Sequence, residues 1–133
     1  MAASMTPHIL VVDDDGDVRD VIIEILAEYG FATTAAKGGA AMREILAADG
    51  PPINAIVLDA LMPGEASSDL ADFAEFLGLP LVMISGSHEC MAFAADHNPQ
   101  LLHKPFRAAE LIQAIESAVT SGQFGQRDAQ QEK

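Results

Sequence analysis

A single cysteine, Cys90, stands among the 133 residues, which leaves no disulfide framework and no cysteine-based zinc site. Cations are scarce too: 7 Lys and Arg face 20 Asp and Glu, for a formal net charge of −13. Nucleic acid and an anionic membrane surface both need a cationic face, so neither is an expected partner; a cation, or a protein with a basic patch, is. No apolar stretch approaches the ~20 residues that a membrane helix requires. Met1–Thr6 has no basic start and no apolar core, so it does not read as a signal peptide. A reducing, cytoplasmic setting is expected. No GxxxxGK[ST] loop is present, which excludes a nucleotide-hydrolysing switch built on one. No internal repeat is visible.

What the chain has is enough apolar residue, half of the total, for one domain with a core and not for two. Five short apolar runs read as strands: His8–Val12, Phe31–Ala35, Ala55–Asp59, Leu81–Ser85 and Leu101–His103. Between and after them, apolar spacing predicts helices over Val18–Tyr29, Ala40–Ala48, Asp69–Leu77, Glu89–Asp96 and Ala108–Thr120. Asp15 or Asp17 can cap the first helix and Gly30 stops it. In the third, Leu70, Phe73, Phe76 and Leu77 are expected inside. Arg19 is assigned to the solvent side of the first helix. Residues 1–7 read as a loose N-terminus and 8–120 as the domain. Residues 121–133, rich in Gln, Gly and charge, read as a disordered tail. Strands alternating with helices mean an α/β fold, a parallel sheet covered on both faces with right-handed crossovers.

In such a sheet every strand's C-terminal end lies on one edge, where ligands bind. The chemistry of this chain collects there. The first strand ends in Asp13 and Asp14, the third in Asp59, the fourth in Ser85 followed by Gly86, and the fifth runs into Lys104. A lone carboxylate closing a buried strand is costly unless it has a use. Three carboxylates within ~4–6 Å cannot all stay ionised unaided. A hard divalent cation resolves this, and oxygen ligands with open positions suit Mg²⁺. A carboxylate nucleophile beside Mg²⁺ can accept a phosphoryl group as an acyl phosphate. Lys104 would neutralise phosphoryl oxygens, while the Ser85 hydroxyl and the Gly86 N–H could donate to them. Taken singly, each residue has a plainer reading. Asp13 and Asp14 could be solvated loop residues, Asp59 a turn former, Ser85 a turn residue and Lys104 a surface lysine. Their convergence on one edge favours function. His8 and His88 read as surface residues, His97 and His103 as non-ligands, and Cys90 as a small helix residue, so none of them carries chemistry on this reading.

The segments Leu10-Val11-Val12-Asp13-Asp14 with Arg19 downstream, Leu58-Asp59-Ala60-Leu61-Met62-Pro63-Gly64, Ile84-Ser85-Gly86 and His103-Lys104-Pro105-Phe106 recur in this order in one family. With them the chain, over residues 8–120, resembles a response-regulator receiver domain of two-component signalling, in its stand-alone form. The resemblance implies a flavodoxin-like, doubly wound five-stranded sheet in strand order 2-1-3-4-5. It implies that Asp59 takes a phosphoryl group from a histidine kinase or histidine phosphotransfer protein, and that protein contacts with a downstream target then change. It implies Mg²⁺ held by the carboxylates of Asp14 and Asp59 and the backbone carbonyl of Leu61, with Asp13 acting largely through water. It also implies a cis peptide before Pro105, a monomer or weak homodimer, and a switch rather than a turnover enzyme.

The chain departs from that family in places. The family's usual aromatic three residues before the lysine is Leu101 here. His103, on the same strand face, is a candidate to take over its part. Ala95–Gln100 contains Asn98-Pro99 where a Gly-Ala pair is usual. Apolar Leu61 cannot hydrogen-bond a water attacking the phosphoryl group. Two other readings compete. A phosphorylation-independent adaptor on the same scaffold would need none of Asp13, Asp14, Asp59, Ser85 and Lys104. A small Mg²⁺ phosphatase would want a second aspartate where Leu61 stands.

Overall fold

The five apolar runs form one parallel sheet. In the computed structural model, which describes residues 6–50, 52–60, 67–85 and 100–131, the strands are β1 (His8–Val12), β2 (Ala32–Ala36), β3 (Ala55–Asp59), β4 (Leu81–Ser85) and β5 (Gln100–His103). Their spatial order is β2-β1-β3-β4-β5. The helices are α1 (Gly16–Glu28), α2 (Gly39–Ala47), α3 (Ser67–Phe76) and α4 (Ala108–Gln131). The helix expected at Glu89–Asp96 lies outside the described residues.

The uninterrupted hydrophobicity of β3 and β4 has a direct cause: every residue of both is buried. Side chains alternate across a strand, so each strand feeds two cores. On one face Ile9, Val11, Ala55, Val57, Val82 and Ile84 meet Ile22 and Leu26 of α1 and Leu111, Ile112, Ile115 and Ala118 of α4. On the other, Leu10, Val12, Ile56, Leu58 and Met83 meet Met42 of α2 and Leu70, Ala71 and Ala74 of α3. Each fully buried aliphatic side chain contributes about 1.5–3 kcal/mol. That burial fixes the register Val12↔Leu58 and Asp59↔Ile84. A one-residue slip of β3 would draw Asp59 into hydrocarbon, at a cost no repacking returns.

Helix ends follow the chain's turn residues. Asp15 caps α1, its side chain accepting from the N–H groups of Asp17 and Val18. Beyond α1 the Phe31 N–H bonds to the Leu26 carbonyl, and beyond α3 the Leu79 N–H bonds to that of Ala74. These are helix-ending turns that need a left-handed residue. Gly30 (φ 90°) and Gly78 (φ 76°) supply it.

The structure corrects four details. The inward face of α3 is Leu70, Ala71 and Ala74, with Phe73 half-buried; Phe76 is 84% exposed and Leu77 is exposed. With Leu70, Ala71 and Ala74 facing the core, the helical phase turns the two later apolar residues outward. The last helix runs to Gln131 instead of ending at Thr120, since nothing from Ser121 onward is a proline and most residues there are good helix formers. His8 is half-buried: its Nε2 lies 2.6 Å from Thr34 Oγ1, and its N–H donates to Asn54 Oδ1 at 2.7 Å. Arg19 is half-buried as well, turned back toward the end of β1.

Candidate functional site

Parallel register carries the end of β1 to the end of β3. Val12 and Leu58 are partners, so Asp13 and Asp59 stand one step further on adjacent strands. Each continues a row of core residues, Ile9–Val11 and Ala55–Val57. They therefore emerge at the sheet edge with hydrocarbon behind them. Asp13 is 1% and Asp59 6% exposed, while Asp14, one residue beyond Asp13, is exposed to solvent. One carboxylate oxygen from each of Asp13, Asp14 and Asp59 falls within 4.8 Å of the other two. The chain leaves β1 toward β2 on one side and returns to β3 on the other, so the cluster sits at the topological switch point.

The loop after β1 is held on all sides. The Asp13 N–H donates to the Ala36 carbonyl at 3.1 Å. Asp13 Oδ1 accepts the Asp15 N–H at 2.9 Å, and the Arg19 guanidinium donates to the Asp13 carbonyl at 2.8 Å. The second carboxylate oxygen, Oδ2, is buried and has no hydrogen-bond partner among the described residues. Burial pushes the Asp13 carboxyl above its ordinary 3.8, and the charges of Asp59 and Asp14 push the same way. The Asp15 N–H and the Lys104 ammonium act against them.

A buried, orphaned carboxylate oxygen is uncommon and calls for an explanation. The donor set supplies one. Three oxygen ligands of like charge within 4.8 Å, with one oxygen of Asp13 left without a partner, fit a hard divalent cation such as Mg²⁺.

Lys104 closes the site from the β5 side. Its Nζ is 3.6 Å from Asp59 Oδ1, with the lysine side chain 38% and the aspartate side chain 8% exposed. Ser85 ends β4 at 1% exposure. It is Cα partner to His103, and its carbonyl accepts the Lys104 N–H at 2.9 Å. The ladder thus continues one residue past β5, as it does past β3, where the Ala60 N–H reaches the Ile84 carbonyl at 2.9 Å. The Lys104–Pro105 peptide is cis. Leu101 is half-buried against the core shared with α2 and α3, and His103 is exposed.

Of the residues singled out from the sequence, Asp13, Asp14, Asp59 and Lys104 come together, and Ser85 lies at the same edge. Gly86 and Leu61 lie outside the described residues, as do His88, Cys90 and His97. Arg19 was missed as part of the site's frame. Its signal was available: an arginine six residues past Asp13 sits one helical turn past the cap residue, within reach of the strand end.

Residues 9–116 match the family described as response regulator receiver domain. Protein PetR of Rhodobacter capsulatus is 33% identical over 137 residues, an alignment covering 92% of this chain and 55% of that protein. The chain spans about half the length of the curated relatives it matches. Among solved structures, the receiver domain of NtrX from Brucella abortus superposes with a TM-score of 0.74 at 30% identity, covering 85% of this chain and 98% of that one. A CheY-like response regulator receiver domain protein from Methanospirillum hungatei reaches a TM-score of 0.80 at 21% identity, over 91% and 99% of the two chains.

Proposed function

Because this chain belongs to the response regulator receiver family of two-component signalling, we propose that Asp59 is its phosphoacceptor, charged by a histidine kinase or a histidine phosphotransfer protein. The observation that carries the proposal is the pairing of Asp59 Oδ1 with Lys104 Nζ at 3.6 Å beside an orphaned Asp13 oxygen. One nucleophile, one cation and one carboxylate oxygen without a hydrogen-bond partner meet at the sheet edge.

Asp59 attacks the phosphorus of a phosphohistidine with a carboxylate oxygen. The new O–P bond forms as the P–N bond breaks, and the departing imidazole nitrogen takes up a proton. Phosphoryl transfer needs positioning and charge neutralisation more than covalent chemistry. Lys104 draws the attacking carboxylate toward the β5 side and then faces the phosphoryl oxygens. Ser85, at the end of β4, offers its hydroxyl to the same oxygens. Asp13, Asp14 and Asp59 would hold Mg²⁺, which supplies the positive charge that lets an anionic donor approach three carboxylates. Hydrocarbon behind Asp13 and Asp59 keeps water from one side of the new acyl phosphate. The chain acts as a switch and not as a turnover enzyme, and its output is changed contact with a downstream protein.

Incubation with a small phosphodonor and Mg²⁺, followed by intact-mass measurement, tests this. A single phosphoryl adduct is expected, absent without Mg²⁺ and absent in Asp59→Asn. Correctly folded protein that takes up no phosphoryl group in the presence of Mg²⁺ would instead indicate an adaptor that works without phosphorylation.

A further inference from the structure

The Arg19 side chain is a cation that turns away from water. It is half-buried and donates to the backbone carbonyl of Asp13 at 2.8 Å, although four nearby carboxylates, Asp14, Asp15, Asp17 and Asp20, are exposed. A surface arginine among acids would ordinarily pair loosely with one of them for little gain. This one instead makes a charge-assisted hydrogen bond to a peptide group, among the stronger kinds.

That peptide joins Asp13 to Asp14. Its orientation decides where both carboxylates point, because the Asp13 side chain departs just before it and the Asp14 side chain just after. Among the described residues, the Arg19 guanidinium is the group that holds this peptide's carbonyl. The Asp15 N–H fixes Asp13 Oδ1, and the cap bonds from Asp17 and Val18 fix Asp15. The Arg19 N–H, bonded to the Asp15 carbonyl at 2.9 Å, anchors the arginine itself in the first turn of α1. The guanidinium lies beside Gly16, where an added Cβ would make only ordinary contact with Arg19 Nη2 at 3.6 Å.

We infer that Arg19 is a positioning residue for the three-carboxylate site: by holding the Asp13 carbonyl it sets the 13–14 peptide and so keeps the Asp14 carboxylate level with those of Asp13 and Asp59. The inference rests on the metal-binding reading of the site given above. Arg19 touches neither the phosphoryl group nor the cation on this account. It acts through backbone geometry, as outer partners of metal ligands do.

The sign of one measurement separates this role from the alternatives. Removing a positive charge near an acidic cluster should, by electrostatics alone, tighten binding of a divalent cation. Removing a positioning group should loosen it. Arg19→Met keeps the length and removes both charge and donors. Titration calorimetry with MgCl₂ at constant ionic strength and pH 7 is expected to show about ten-fold or weaker binding in this variant, the range seen when partners of metal ligands are removed. Tighter binding would overturn the inference in favour of a charge effect. Unchanged affinity with a lowered Tm in chelator would overturn it in favour of a purely structural role. Should Arg19→Met fold poorly, Arg19→Gln gives the same readout with the same expected loss. The wild-type isotherm keeps the two readings apart. One saturable Mg²⁺ site in the wild type upholds the metal reading whatever Arg19 does, and no uptake there would defeat both.

Discussion

Asp13 is held in a state that costs the metal-free protein stability. Its carboxyl is displaced upward from 3.8 by burial first and by Asp59 and Asp14 next. A group whose folded-state value is raised contributes fully to stability only below its unfolded value, and that contribution is lost as pH rises through the folded one. At neutral pH ionised Asp13 therefore works against folding. Asp13→Asn is expected to raise the Tm measured in chelator at pH 7, at about 3–5 °C for each kcal/mol recovered. The gain should disappear as pH falls below 3.8. In saturating Mg²⁺ the order should reverse, with the wild type more stable, because an uncharged amide oxygen holds a hard cation more weakly than a carboxylate does. A variant less stable than wild type in chelator at pH 7 would show that Asp13 is not strained there. The places of Asp13, Asp59, Ser85 and Lys104 at one sheet edge were legible because each ends or follows an apolar run, where a polar residue stands out. The division of labour between the two Asp13 oxygens was not, since it depends on which N–H groups the following loop turns inward.

At the scale of the element, α3 separates what spacing can decide from what it cannot. Leu70 belongs to two possible stripes, one with Phe73, Phe76 and Leu77 and one with Ala71 and Ala74. Hydrophobicity favours the first; the structure buries the second. Leu70→Ala is expected to cost about 2–5 kcal/mol, read by urea denaturation. Phe76→Ala, at 84% exposure, should stay within about 0.5 kcal/mol of wild type. Comparable losses in both would mean that α3 packs in the other phase. By contrast β3 and β4 were legible to the residue, since burial on both faces leaves no polar position to confuse the run. The ends of α1, α2 and β2 shifted by a residue or two, where caps and fraying rather than burial set the boundary. Arg43, stacked 4.5 Å from the centre of the Phe73 ring, was invisible in sequence because the two residues lie on different helices.

At the scale of the whole molecule, the net charge of −13 makes the fold repel itself. Any salt should stabilise it by screening, with a Debye length of about 10 Å at 0.1 M. Mg²⁺ should do more than its ionic strength explains. At ten times its dissociation constant, a cation bound only by the folded state adds about 1.4 kcal/mol, or roughly 5 °C in Tm. MgCl₂ compared with NaCl of equal ionic strength isolates that increment. It is expected to shrink in Asp14→Asn, while the screening effect of NaCl remains. Equal effects of the two salts on the wild type would leave the acidic edge a mere source of repulsion. The order of the sheet and its two-sided cover were legible as a class from alternating strands and helices. The strand order β2-β1-β3-β4-β5 was legible only through the family resemblance, since local periodicity carries no information on which strands are neighbours.

The hydrogen bond that the Lys104 N–H donates to the Ser85 carbonyl gives the protein its own clock. That proton can exchange with solvent only when the end of β5 lifts from β4. The lifetime of its protection therefore times the opening of the strand that carries Lys104. It does so from the main chain, without a label on any side chain of the site, and it can be followed residue by residue while a phosphoryl group comes and goes.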